Sequence, residues 1–442
     1  GGMRRSPLSS SAIWRKQFSR HHKHRCPPEP GDLGLSAGGG FLHSVSRRRR
    51  FEGYMTRQNS MRSTLVRPMP PRDPHEPHRV ATPLELFFDL VSVIAISAAS
   101  AGLHHAIADG HAAQGIVRFI FSFFAIWWAW MNYTWFASAY DNDDTLFRLL
   151  TMVTMAGALT IAAGITRMFE SLDLTLIIIG YIVMRLAMVV LWLRAARNDP
   201  ARRNTALSYA IGIALVQIYW LGFYLLQLRT EIPFHVLFVI GAVLELLVPV
   251  FAEKRNYTLW HRHHIIERYG LLNIIVLGET LLAGSIALRS ASGEHFDMAL
   301  LYIALSALVI LFSMWWLYFA PEEQLETHEL GRALTWGYGH AVIFASGAAV
   351  GAGVAVRIDI ATHHAKIGDL AGDYAVAIPV ALYMLGLWFV RDRFVCGAPA
   401  RYVLPAFAAL IVLAPLTPLA LQGVAVLSAL CVVVRNYLIQ RQ

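Results

Sequence analysis

The chain has 442 residues, 56% of them hydrophobic and 15% charged, with a formal net charge of +9 and a mean hydropathy of +0.47. Soluble domains carry about 25% charged residues, so this composition excludes water as the main solvent. The Arg and Lys residues gather in the N-terminal stretch and at the ends of apolar blocks; membrane orientation explains that pattern, and no nucleic-acid partner is expected. Cys26, Cys396 and Cys431 form no CxxC pair, and no disulfide framework is legible from them.

Residues 1–80 are rich in Arg, Ser, Pro and His, carry the run Arg47 to Arg50, and read as a disordered basic tail. This tail has no continuous apolar stretch of signal-peptide length. Gly1 and Gly2 before Met3, with Met55, Met61 and Met69 downstream, fit a tail that is in part a tag or an upstream start. Beyond it, apolar blocks of about twenty residues, the length that crosses about 30 Å of hydrocarbon, predict spans at 83–104, 116–138, 146–166, 174–193, 207–228, 234–252, 266–288, 298–319, 333–356, 374–391, 402–418 and 422–438. The expected fold is all-α: a polytopic transmembrane bundle of about 12 helices.

Landmarks recur in order at a distance of roughly 180 to 195 residues. Glu85 answers to Glu267, Trp127 and Trp128 to Trp315 and Trp316, Arg148 and Thr151 to Arg332 and Thr335, and Arg255 and Tyr257 to Arg435 and Tyr437. This predicts two parallel six-helix repeats, 81–260 and 261–442. Arg194, Arg197, Arg202 and Arg203, then Lys254, Arg255 and Arg262, then Arg391, Arg393 and Arg401 fall on the tail's side, whereas Arg167, Arg229 and Arg289 stand singly opposite. Both termini are therefore expected in the cytoplasm, with the lipid bilayer as the first partner.

Thr82, Pro83 and Glu85 have the pattern of a helix start with a capping box. Asp89 lies a turn further in on the same face, beyond what a cap explains. Arg185, Glu245 and His340 come out about 10 to 13 Å from their helix ends, and Glu279 near the membrane midplane. Ionisable groups at such depth find partners, and an Asp89–Arg185 pair is the leading expectation; the competing reading is structural polar contacts between helices. His263 and Glu267 have a spacing that metal ligands on a helix can have, next to Arg268, and a juxtamembrane basic surface predicts the same residues. The tail's His21, His22, His24 and Cys26 are weaker candidates, and the metal question stays open. Asp141, Asp143 and Asp144, with Arg148 beyond them, form an acidic cluster on the cytoplasmic side, either a helix cap or a cation entry ring. The tryptophans read as interfacial belts or packing, no cofactor is expected, and no nucleotide loop or nucleophile elbow occurs in the spans.

The string Thr82 to Val91, the Tyr140 to Asp144 segment, Tyr181 with Arg185, Glu267 to Gly270 with Leu277 to Glu279, Trp315 to Phe319, and Tyr338 to His340 together resemble the bacterial low temperature requirement A family. One departure is Ala320, where the family pattern leads to an acidic residue; Glu322 and Glu323 are close by. The resemblance implies a polytopic protein of the bacterial cytoplasmic membrane, named for a cold-growth phenotype and without an established activity. A fainter similarity, through Phe87, Phe88 and Asp89, is to two-repeat, six-helix potassium channels. The first expectation is a transporter or channel for an ion or small solute, with Asp89, Arg185, Glu279 and His340 on its path. The alternatives are a membrane-embedded enzyme acting on a lipid or isoprenoid phosphate through Asp141, Asp143 and Asp144, and a non-transporting scaffold or sensor. Oligomeric state is not legible.

Overall fold

Thr82 accepts a hydrogen bond from the Glu85 amide (3.3 Å), and the Glu85 carboxylate accepts one from the Thr82 amide (2.8 Å). With Pro83 in the first turn, this reciprocal cap starts the first helix where expected. The computed structural model describes residues 66–77, 79–227, 234–254, 256–291, 298–320 and 329–441. The expected tail up to residue 65, together with Arg229, Arg255, Glu322 and Glu323, lies outside the described residues.

In chain order the helices are α1 (Pro83–Ala108), α2 (Ala112–Tyr140), α3 (Thr145–Ser171), α4 (Thr175–Asn198), α5 (Pro200–Gln227), α6 (Phe234–Ala252), α7 (Arg262–Ala291), α8 (Met298–Phe319), α9 (Leu330–Ala361), α10 (Asp369–Val395), α11 (Ala400–Leu416) and α12 (Ala420–Ile439). The described residues contain no strand. Ten of these helices are long and apolar enough to cross a membrane; α7, which carries Glu267, Arg268 and Glu279, and the shorter α11 fall outside that group. Only helices and closed barrels satisfy every backbone group in hydrocarbon, and the fold follows that constraint. Large apolar side chains face outward, Ile218 at 68% and Phe312 at 60% exposure, as lipid-facing residues do.

Sequential helices pack as neighbours: α3 on α4, α4 on α5 and α5 on α6, then α9 on α10, α10 on α11 and α11 on α12. Helix α1 is the hub and touches α2, α3, α7 and α9, while α12 folds back on α8. Glycine sets the closest approach: a Cβ on Gly157 of α3 would stand 2.6 Å from the Gly180 carbonyl of α4. Without a hydrophobic drive between helices, such contact and interhelical hydrogen bonds hold them together. Helix α6 illustrates the point, because it buries only the stripe Gly241, Glu245, Val248, Pro249 and Ala252. In α10 a π turn at Trp388–Asp392 lets the consecutive residues Arg391 and Asp392 both face inward.

Residues 66–77, 79 and 80 form an extended strap belonging to the helical unit. Met69 is fully buried, the Arg72 amide donates to the Ala139 carbonyl (2.8 Å), and the Arg67 amide donates to Asp144 (2.7 Å). Composition concealed this, because the strap is held by carboxylates and carbonyls at helix ends rather than by apolar periodicity.

Candidate functional site

Glu245 projects from α6 into the first half of the bundle and is fully buried. Its two oxygens accept hydrogen bonds from Arg185 (2.7 Å) and Tyr181 (2.7 Å) on α4, Trp128 on α2 (2.9 Å), and Trp220 (3.2 Å) and Gln217 (3.3 Å) on α5. Five donors saturate a carboxylate, so this ion pair is closed. The expected Asp89–Arg185 pair is therefore not formed: both are buried, but Arg185 faces α6.

Asp89 instead accepts from Arg268 of α7 (2.5 Å) and Trp130 of α2 (2.6 Å). One turn nearer the strap, Glu85 has His264 Nε2 at 3.0 Å, Arg79 at 3.9 Å and Arg268 at 4.0 Å, so its cap role and its place in a charged cluster coexist. Arg79 also stands 3.6 Å from Asp141. Glu267 accepts from the Ala81 amide (3.2 Å) and borders a recess between the strap and the start of α7.

A second polar zone continues along the same face of α1. Glu279 of α7, half-buried, accepts from the Ser97 hydroxyl (2.5 Å), and Ser100 donates to the Ala348 carbonyl of α9 (2.8 Å). These groups line a cleft of about 150 Å³ between α1, α7 and α9. At its far end His104 Nε2 lies 2.7 Å from Asp359. Among the described residues no Arg, Lys or His nitrogen lies within 4 Å of Glu279.

Asp141, Asp143 and Asp144 do not converge. Asp144 caps α3 through the Phe147 amide (2.8 Å) and pairs with Arg194; burial opposes its ionisation, but that guanidinium and the two amides it accepts from hold its carboxyl below the usual range. Asp143 pairs with Arg148 (2.6 Å), which also lowers it. Asp141 is buried, and that burial with the neighbouring Glu85 charge pushes it up to about 6 against the Asp143 amide and Arg79. Each carboxylate thus has its own partner. Among the described residues no three His, Cys, Asp or Glu side chains gather as a metal site would. His340 is buried away from the cleft, with Nδ1 at 2.7 Å from the Trp336 carbonyl and Nε2 at 3.1 Å from the Tyr318 hydroxyl.

Several members escaped sequence reasoning. Trp128 and Trp130, read as belts or packing, are buried and donate to carboxylates, whereas Trp315 and Trp316 are exposed. Asp392 receives Arg391 (2.7 Å) and, through two nitrogens, Arg435 (2.7 and 2.9 Å). Arg391 and Arg194 looked like loop charges and are buried. The available signal was Arg435, which sits inside an apolar span and needs a counter-charge.

Ten helices long and apolar enough to cross a membrane, with buried ion pairs between α4 and α6 and between α1 and α7, define a multi-pass membrane protein. The chain belongs to the bacterial low temperature requirement A family, whose model matches residues 80–435. An uncharacterized protein of Rhizobium meliloti (strain 1021), RA0937, is 29% identical over 247 residues, which cover 54% of this chain and 58% of that protein. The chain thus matches little more than half the length of that relative. No solved structure matches the chain at a significant level.

Proposed function

We propose that the protein carries a small cation or protons along the seam of α1, α7 and α9. The observation that carries this reading is Glu279, a half-buried carboxylate that faces a cleft among the helices and, among the described residues, has one neutral donor. An acid so placed can take up and release a proton or replace part of an ion's hydration shell. Glu85 and Asp89 supply charge near the strap end of the seam and His104 with Asp359 near the other, with Ser97 and Ser100 between. From Asp89 to Ser97 the rise is about 12 Å, and Val93, Ile96 and Val276 are apolar walls of the cleft. The concentration of Arg at the strap end supports placing that end in the cytoplasm of a bacterial cell. The matching neighbour order of α3 to α6 and α9 to α12 supports two parallel six-helix repeats divided near residue 260.

The test is flux of potassium, sodium and protons in proteoliposomes under a set membrane potential. Wild type is expected to conduct or exchange at least one of them, and Glu279→Gln to reduce that flux about tenfold or more while keeping its elution volume and Tm. Equal flux from Glu279→Gln and wild type would refute the seam as the path.

A further inference from the structure

Away from the seam, where α2, α4, α5 and α9 meet the connection from α6 to α7, a cavity of about 50 Å³ is walled by Trp135, Trp192, Tyr209, Trp260 and Tyr338 around Glu253. Glu253 is 7% exposed. It accepts hydrogen bonds from the Tyr209 hydroxyl (2.8 Å), the Thr258 amide (2.8 Å) and the Thr258 hydroxyl (2.9 Å). All three donors are neutral, and among the described residues no Arg, Lys or His nitrogen comes within 4 Å of it. Arg202, the cation whose field reaches it, is engaged by Asp199 and the Tyr257 carbonyl. Two walls are rigidly set: Trp192 stacks on Tyr209 at 4.1 Å and Trp135 meets Trp260 edge to face at 5.0 Å.

A buried carboxylate with no cation within 4 Å among the described residues, set among aromatic faces that carry partial negative charge, makes a recess of negative potential. Burial raises the Glu253 carboxyl, and a bound cation would offset that cost. The walls select the kind of cation. A hard metal ion needs about six oxygen ligands, whereas aromatic faces suit a weakly hydrated organic ammonium. The volume is several times the roughly 10–15 Å³ that one water requires, so it takes a compact head group rather than a long chain. Because Glu253 directly follows α6, the cavity sits at a membrane–water boundary, where a soluble amine and an aminolipid head group both have access.

We propose that the aromatic cavity around Glu253 binds a compact organic ammonium group. This site is separate from the Glu279 cleft and does not depend on the transport reading.

The test uses the full chain in nanodiscs, with tetramethylammonium and methylammonium chloride as probes and sodium chloride at equal ionic strength as reference. Trp135, Trp192 and Trp260 line the cavity, so intrinsic fluorescence reports occupancy. The expected result is a saturable change with either ammonium ion and none with sodium, weakened about tenfold in Glu253→Gln. Tyr338→Phe, which keeps the ring face, should bind like wild type, and Tyr338→Leu more weakly; this pair keeps the proposal testable if Glu253→Gln does not fold. Competition by ethanolamine lipid in the disc would identify a lipid head group as the source, and its absence a soluble amine. No saturable change with folded wild type, or the same affinity in folded Glu253→Gln, would overturn the proposal.

Discussion

Glu245 and Glu279 are both glutamates facing the interior of the helical bundle, and their surroundings are opposite. Glu245 is enclosed by a guanidinium, two indoles, a phenol and an amide, while Glu279 has one serine hydroxyl and an open cleft. The first arrangement spends every acceptor on holding α6 to its neighbours, which its narrow buried stripe could not do alone. The second leaves acceptors without a donor among the described residues, which the proposed path would use. Donor count, rather than position along the helix, is what separates the two glutamates.

The sharpest way to break this contrast is Glu245→Leu, which leaves Arg185 buried without a counter-charge. Removing one partner of a buried ion pair costs about 3–5 kcal/mol, so we expect loss of the monodisperse peak in fluorescence-detected gel filtration; a variant with wild-type Tm would show that the cage is dispensable. Replacing Glu279 by Leu is the counterpart. It is expected to keep Tm within a few degrees and to abolish the flux assigned to the seam, and a collapse of the fold would place Glu279 in the structural class with Glu245.

Asp141 tests the cluster between these extremes. Its carboxyl is pushed up to about 6 in the folded protein against about 4 in an open chain. The folded state therefore holds this proton more tightly, and the stability it brings is complete below about pH 4 and lost as pH rises through 6. Asn has no such proton to lose. Asp141→Asn is expected to exceed wild type by about 2–3 kcal/mol above pH 6, with the difference closing toward pH 4 in a series of thermal melts. The smallest effect is expected of Arg148→Ala, whose pair with Asp143 is solvent-exposed; neither Tm nor flux should change measurably.

Helix positions were legible because hydrocarbon imposes a length, and an apolar block of about twenty residues has few other uses. The cap at Thr82 and Glu85 was legible for a local reason, since its partners are three residues apart. Pairings were not, because they depend on which helices touch. Asp89 meets Arg268 across 179 residues and Arg185 meets Glu245 across 60, and nothing in either local segment distinguishes those partners from Asp89 with Arg185. The proposed duplication also hides divergence. Trp127 and Trp128 are buried, whereas Trp315 and Trp316, expected as their counterparts, are exposed.

The strap has a consequence for how the protein is made. Residues 66–80 are synthesised before every helix they touch, yet Glu76 contacts His261 and Ala81 contacts Glu267, partners 185 and 186 residues downstream. At about 5–20 residues per second, those partners emerge roughly 10–40 s later. The strap can meet Ala139 and Asp144 once α2 and α3 are made, whereas its contacts at the start of α7 wait for those later residues. A protease site placed in the strap would act as a clock, cut in nascent chains that stop short of α7 and protected once α7 has been inserted.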